Sequence, residues 1–339
     1  MAKRILAVRQ DNNGDVLLAG PALRALRDGC DALTLVCGPR GTNAARLLPG
    51  VDDRIVWEAA WIDADPSTVD RADVDAFVDT VRRGRYDEAV IFTSFHQSPL
   101  PMALLLRLAA IRRIGAISVD YPGSLLDVRH SVADDMHEVE RALSLAASMG
   151  YHLAAHDDGR LAIEGIPQQH SSARKYVVVH PGCTVPARAW SVQGNRSVAA
   201  MLAESGYDVL VTGSSDESAI TRAVTDGREH VCDLGGKTSF AQFAAIVRDA
   251  AAVVCGNTST AHVAAAVGTP VIEIFPPTIP AARFRPWMVP HVLLGDQNIA
   301  CRGCRARVCP IPGQPCIAAV SAQAVVDAVR SLAKRTAAA

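Results

Sequence analysis

A polar run, Gly256-Asn257-Thr258-Ser259-Thr260, lies between the apolar residues 251–255 and the Ala-rich residues 261–267. The first segment reads as a β-strand and the second as a helix, so the polar run sits at a strand-to-helix junction. The first amides of a helix have no partners within it and point out of its N-terminus. The helix dipole favours negative charge there, which makes a phosphate or diphosphate a natural ligand. Gly268 and Pro270 read as the helix stop, with residues 271–275 as the next strand. Taken alone, the turn also fits an ordinary N-cap in which hydroxyls satisfy the helix amides.

Two further positions carry charge where chemistry needs it. Asp15 ends the loop Asn12-Asn13-Gly14-Asp15 after a short apolar run at 3–8. It fits either an N-cap or a carboxylate that takes the proton from an attacking hydroxyl. Pro21 implies that the helix following it is interrupted or starts late. Arg188, in Thr184-Val185-Pro186-Ala187-Arg188-Ala189-Trp190, follows the strand at 175–180 and a Pro181-Gly182 turn. A guanidinium there would meet the charge of a departing diphosphate; the other reading is an exposed surface arginine.

Nine cysteines divide into two groups. Cys30, Cys37, Cys183, Cys232 and Cys255 lie singly in apolar or turn contexts and read as reduced, partly buried thiols. Cys301, Cys304, Cys309 and Cys316 form a C-x2-C-x4-C-x6-C cluster. Four thiolates on one loop are a donor set for zinc or an iron–sulfur cluster, and equally a Pro-rich loop of free or redox-sensitive thiols.

These positions need elements to hold them. Strand-like runs at 3–8, 33–37, 88–92, 175–180, 208–212, 252–255 and 271–275 alternate with helical stretches at 16–27, 73–83, 99–111, 137–149, 198–204, 240–250 and 322–334. Such alternation predicts parallel sheets covered by helices on both faces, in two doubly wound domains. The polar segment 155–174, with Gly, Pro and Ser, reads as the linker. Ligands of such sheets bind beyond the carboxyl ends of the strands. Neither leading strand is followed by G-x-G-x-x-G, which removes local support for a nicotinamide-type site.

With 34 basic and 35 acidic residues the chain lacks the field that marks nucleic-acid binders, so no nucleic-acid partner is expected. The start, Met1-Ala2-Lys3-Arg4 before ILAV, does not read as a signal peptide. The best apolar run, 101–111, is too short for a bilayer and contains Arg107. The expected location is the cytoplasm, with at most peripheral contact at the inner face of the cytoplasmic membrane through residues 100–108.

The segment DLGGKTS at 233–239, the Asn257-Thr258-x-x-x-His262 pattern and AAAVGTPV at 264–271 resemble the C-terminal half of the ADP-heptose:lipopolysaccharide heptosyltransferase family, glycosyltransferase family 9. The chain departs where family members often have Asp at the position of Asn257 and Gly at that of Ser259. A Ser259 side chain fills space that glycine would leave for a phosphate. The resemblance implies an α/β GT-B fold of two Rossmann-like domains facing across a cleft, residues 1–165 taking the acceptor and 170–339 the donor. It implies that Asp15 is the general base, and that Thr184, Arg188, Asn257, Thr258, Ser259, Thr260 and His262 surround the donor diphosphate. Gly213 and Glu217, in Gly213-Ser214-Ser215-Asp216-Glu217, would hold the donor ribose, or Asp216 and Glu217 would simply suit a helix start. Lys237, Thr238 and Ser239 would border the same pocket or cap the next helix, with Gln242 completing a capping arrangement.

The expected activity is inverting, metal-independent transfer of heptose from ADP-heptose, with no cofactor, to a hydroxyl of lipopolysaccharide core or another cell-surface glycoconjugate. Phe95, His96, Gln97 and the segment 121–130 could line the acceptor side but carry no specific motif. The rivals are a nucleotide-sugar epimerase or hydrolase on the same fold, and a non-catalytic nucleotide-binding protein built around the cysteine loop.

Overall fold

Runs such as ILAV, LTLV, YVVV and AVVC are apolar without alternation, as strands buried on both faces must be, and each becomes an interior strand of a parallel sheet. The computed structural model describes residues 2–62, 66–168 and 174–336, and in it the chain divides into two units, Met1–Glu164 and Gly165–Ala339. The division falls within the polar stretch 155–174, of which residues 169–173 lie outside the described residues.

The first unit holds β1 (Arg4–Arg9), β2 (Ala32–Cys37), β3 (Asp53–Val56), β4 (Glu88–Ile91), β5 (Arg113–Ile117) and β6 (Val128–His130) in the order β3-β2-β1-β4-β5-β6, all pairs parallel. Its helices are α1 (Asn13–Leu18), α2 (Gly20–Asp28), α3 (Thr42–Ala45), α4 (Arg71–Gly84), α5 (Leu100–Leu108) and α6 (Glu138–Ser148). The interruption expected at Pro21 is the break between α1 and α2: Pro21 sits in the first turn of α2, where a missing N–H costs nothing. Leu6, Val8, Ile91 and Ile114 of the sheet pack with Phe77 and Leu106 of α4 and α5, and Trp57 stacks on Phe77 at 4.1 Å. Each such side chain, buried, contributes roughly 1.5–3 kcal/mol.

The second unit repeats the plan with β7 (Tyr176–His180), β8 (Asp208–Val211), β9 (Val231–Asp233), β10 (Ala252–Gly256), β11 (Val271–Ile274) and β12 (His291–Leu294), ordered β12-β11-β10-β7-β8-β9 and again parallel. Its helices are α7 (Val192–Glu204), α8 (Ser218–Thr225), α9 (Phe240–Arg248), α10 (Ser259–Val267), α11 (Ala281–Phe284), α12 (Pro315–Ala318) and α13 (Ala322–Thr336). Val177, Val179 and Val254 pack with Val198 and Leu202 of α7 and Val325 and Val329 of α13. Ser239 and Gln242 form the capping box that starts α9, and Gly268, at φ 83°, ends α10 in the left-handed region.

Helix α7 begins at Val192 and not near 198, because Ser191 caps it and Gly194 lets the Trp190 ring lie against its first turn; a Cβ on Gly194 would collide with that ring. β3, β5, β6, β9 and β12 lack a clear sequence signal; all but the interior β5 are short edge strands, and β3, β6 and β9 carry charged or exposed residues. Glu273 of β11 is fully buried, and neither carboxylate oxygen has a hydrogen-bond partner among the described residues. Burial pushes its pKa well above the usual carboxylate range, which favours the uncharged acid.

Candidate active site

In an open parallel sheet, ligands bind beyond the strand ends where the strand order reverses. In the first unit that point lies between β1 and β4, and in the second between β7 and β10. Each unit gathers its candidate residues there.

In the first unit, β1 ends on Arg9, which is buried with its guanidinium inside the molecule. Arg9 Nη2 donates to Asp15 Oδ1 at 3.0 Å and to Ser94 Oγ at 3.2 Å. Arg9 Nε lies 3.1 Å from Asp11 Oδ2, and Nη2 lies 3.6 Å from Glu138 Oε2 of α6. Asp11 Oδ1 also accepts from Gln97 Nε2 at 2.6 Å and from Ser94 Oγ at 3.3 Å. Asp15 lies in the first turn of α1 and does not cap it; Asn12 holds the N-cap position with no side-chain cap bond. Burial, seconded by Asp11 and Glu138, outweighs Arg9 and pushes the Asp15 carboxyl up to about 6. Arg9 stays charged, since Asp11, Asp15 and Glu138 more than offset its own burial. Asp15 is therefore an anion at neutral pH and a stronger base than an exposed aspartate.

Arg9, Asp11 and Glu138 were not singled out from the sequence. Their only local trace is an arginine and an aspartate closing the apolar β1 run, whereas Glu138 arrives from a distant helix. Gln97 does join the cluster, and Ser94 reaches it from the same turn; His96 is exposed, and Tyr121 stands 85% exposed on the loop after β5.

In the second unit, the turn after β10 leads directly into α10. Thr258 occupies the N-cap position of α10, yet its Oγ1 is buried and makes no hydrogen bond among the described residues, so the hydroxyl does not satisfy the helix amides. The amides of Ser259 and Thr260 have no partner among the described residues, and neither has the buried Asn257 Nδ2. Thr260 and His262 are buried in the first turns of α10.

Arg188 lies in the loop after β7, on a short 3-10 turn, Pro186–Arg188. Its Nε is buried without a hydrogen-bond partner, and the side chain has no ion pair among the described residues. The loop backbone closes on the β10 turn: a Cβ on Gly256 would come within 3.3 Å of Arg188 O. Arg188 and the start of α10 thus belong to one end of the β7–β10 crevice. Thr184, in the same loop, is exposed.

Glu217 sits over the adjacent strand ends. Its carboxylate covers Gly182, where any Cβ would overlap it, and Oε2 accepts from Ser214 N at 2.8 Å in a capping box. A Cβ on Gly213 would lie 2.8 Å from Thr221 Cγ2 and 3.1 Å from Glu217 Cβ, so a side chain at either glycine would displace Glu217 or Thr221. His180, the last residue of β7, bonds Thr212 Oγ1 through Nδ1 at 3.1 Å and lies 3.9 Å from Glu217 Oε2. Burial pushes its pKa down against the opposing pull of Glu217, so the ring is neutral at pH 7. Lys237 pairs with Asp233 at 3.6 Å near the surface, and Ser239 is spent on capping α9.

The cysteine loop serves the same region through its backbone. Arg307 O accepts from Ala187 N at 2.9 Å, while Gly303 N and Arg305 N donate to Pro277 O and Thr278 O at 2.7 and 2.9 Å. Gln314 Nε2 adds a bond of 3.2 Å to Pro186 O. The loop therefore braces the turn that carries Arg188. Cys316 is buried in the core with α7 and α13, Cys304 is exposed, and Cys301 and Cys309 are half-buried. Among the described residues no three His, Cys, Asp or Glu side chains are grouped to hold a metal ion. Of the single thiols, Cys37 and Cys255 are buried, Cys30 and Cys183 half-buried, and Cys232 is exposed, unlike the partial burial expected of it.

Residues 74–314 match the family described as Glycosyltransferase family 9 (heptosyltransferase). The chain is 25% identical over 309 residues to lipopolysaccharide heptosyltransferase 1 of Salmonella typhimurium, covering 82% of this chain and 89% of the relative. Its fold is similar to that of a family 9 glycosyltransferase from Veillonella parvula, with a TM-score of 0.79 at 16% identity over 98% of this chain and 97% of the other. An Escherichia coli heptosyltransferase solved with ADP-2-deoxy-2-fluoro heptose gives a TM-score of 0.73 at 22% identity, over 97% and 99%.

Proposed function

The chain belongs to glycosyltransferase family 9, the heptosyltransferases, and from that membership we propose that it transfers heptose from ADP-heptose to a hydroxyl of a lipopolysaccharide-type core or a related cell-surface glycolipid. It is a GT-B glycosyltransferase, with two parallel six-stranded sheets. The family match over residues 74–314 carries the reading, and the donor identity is supported by the relative solved with an ADP-heptose analogue.

In this reading residues 1–165 receive the acceptor and residues 170–339 the donor. Asp15 accepts the proton of the acceptor hydroxyl as it attacks the anomeric carbon from the face opposite the nucleotide. The new C–O bond forms as the bond to the diphosphate breaks, the configuration inverts, and ADP leaves with the electron pair. Charge then develops on the diphosphate. The Arg188 guanidinium, the Ser259 and Thr260 amides, and the Asn257 and Thr258 side chains are the groups with unspent hydrogen-bonding capacity to receive it. Thr184 and His262 complete the diphosphate site, and Glu217, set by Gly182 and Gly213, accepts from the ribose hydroxyls.

No helix among the described residues is long and apolar enough to cross a membrane. Leu104 and Leu108, one turn apart on α5, are 47% and 56% exposed, an apolar pair suited to peripheral contact with the inner face of the cytoplasmic membrane. Isothermal calorimetry with ADP, UDP and GDP, in buffer containing EDTA, tests the donor side. ADP is expected to bind more tightly than the other two by at least about tenfold, a difference of roughly 1.4 kcal/mol. Equal binding of all three, or preference for UDP or GDP, would replace the donor.

A further inference from the structure

Arg9 faces three carboxylates, Asp11, Asp15 and Glu138, with one positive charge between them. A single guanidinium cannot neutralise three acids, and the site is buried, so the surplus negative charge is felt by the acid most able to take a proton. Asp11 is anchored on Arg9 Nε, Gln97 and Ser94, and Glu138 is 3% exposed at its side chain. Asp15 differs from both. Its side chain is 19% exposed, Oδ1 is bonded to Arg9, and Oδ2 has no hydrogen-bond partner among the described residues.

We propose that Asp11 and Glu138 are positioning residues for the Asp15 base: by competing for Arg9 they leave Asp15 one anchoring bond and one open oxygen. The inference rests on the reading of Asp15 as the base. Without the two competitors, Arg9 would be free to grip Asp15 through both oxygens, a fork-to-carboxylate pair that would make it a weaker and less accessible base.

Other charged groups stand on the elements packed around α1. Arg40 lies on the 39–41 turn and α3 carries none. On α2, Arg24 is held by Asp157, Arg27 by Asp52, and Asp28 accepts from Ala154 N. On α6, Glu140 and Arg141 follow Glu138, and His137 caps the helix. The groups that shift Asp15 most are Asp11, Arg9 and Glu138.

The test is a carbon-13 carboxyl titration of the full-length chain, with the Asp15 signal assigned by its loss in Asp15→Asn, alongside the pH profile of transfer. In the native chain Asp15 should titrate near 6, and the acid limb of the transfer rate should follow it, because protonation below that pH removes the base. In Asp11→Asn, and separately in Glu138→Gln, the midpoint and the acid limb should both move to lower pH, by about one unit in Asp11→Asn, whose charge acts more strongly on Asp15, and by less in Glu138→Gln. Rates above the limb should fall as the base weakens. A purely structural role would lower the rate and leave the midpoint in place. An Asp15 midpoint in the ordinary carboxylate range, or one unmoved in both variants, overturns the inference while leaving the base reading intact. Full activity in Asp15→Asn would instead remove the base reading, and this inference with it.

Discussion

Asp15→Asn is expected to lower heptosyl transfer by about 10²–10⁴-fold while leaving ADP binding unchanged. The acceptor hydroxyl must lose a proton as it attacks, and Asp15 is the carboxylate in the first unit's crevice that combines raised basicity with an oxygen free of other bonds. Asparagine keeps the shape and can still accept from Arg9 through its amide oxygen. It also removes one negative charge from a cluster with two carboxylates to spare, so the variant should melt no lower than the parent. Steady-state rates, a thermal melt and an ADP titration on the same preparation separate these effects. Turnover close to that of the parent would take Asp15 out of the mechanism.

Arg188→Ala is expected to cost about 10²–10³-fold in kcat, the usual consequence of removing one group that receives transition-state charge. The guanidinium has no ion pair among the described residues and a buried Nε without a partner, so its charge is available to a ligand and not spent on the fold. Its loop is fixed independently, by the Ala187 bond to Arg307 and the Gln314 bond to Pro186, which the substitution leaves in place. Arg188→Lys should recover part of the loss, since a point charge replaces a planar fork at one phosphate oxygen. Kinetics that show a raised KM with unchanged kcat would mean that Arg188 binds the donor equally in ground and transition states, and would deny it the leaving-group role.

The sequence makes the second unit more legible than the first, and the reason is local encoding. The segment 251–275 writes strand, turn and helix in consecutive residues, and the structure builds β10, α10 and β11 from them with boundaries close to those expected. The order β-α-β also suffices to expect parallel sheets, because a parallel pair needs a crossover. Edge strands escape such reading: Asp53–Val56 and Val128–His130 are held by pairing with a neighbour and not by their own pattern.

Asp15 was visible as a loop carboxylate, but what sets its chemistry was not. Asp11 lies near it in the chain with nothing to show that both turn toward Arg9, and Glu138 comes from α6, which only the tertiary fold brings to β1. Spacing alone also could not tell what the cysteine-rich loop does. Cys316 is spent on the core, and the Arg307 carbonyl and the Gln314 side chain hold the turn bearing Arg188. Glu273 was hidden for a different reason: within an apolar strand it breaks the pattern, and its raised pKa depends on burial that a sequence does not display.

The proposed activity is transfer of heptose from ADP-heptose. Its most direct test is to incubate the purified protein with ADP-heptose and a lipopolysaccharide core lacking heptose, and to follow ADP release together with the mass and anomeric configuration of the product. One ADP released for each heptose gained, with inverted configuration, is the expected result. Turnover of a UDP- or GDP-sugar with none of ADP-heptose would contradict it.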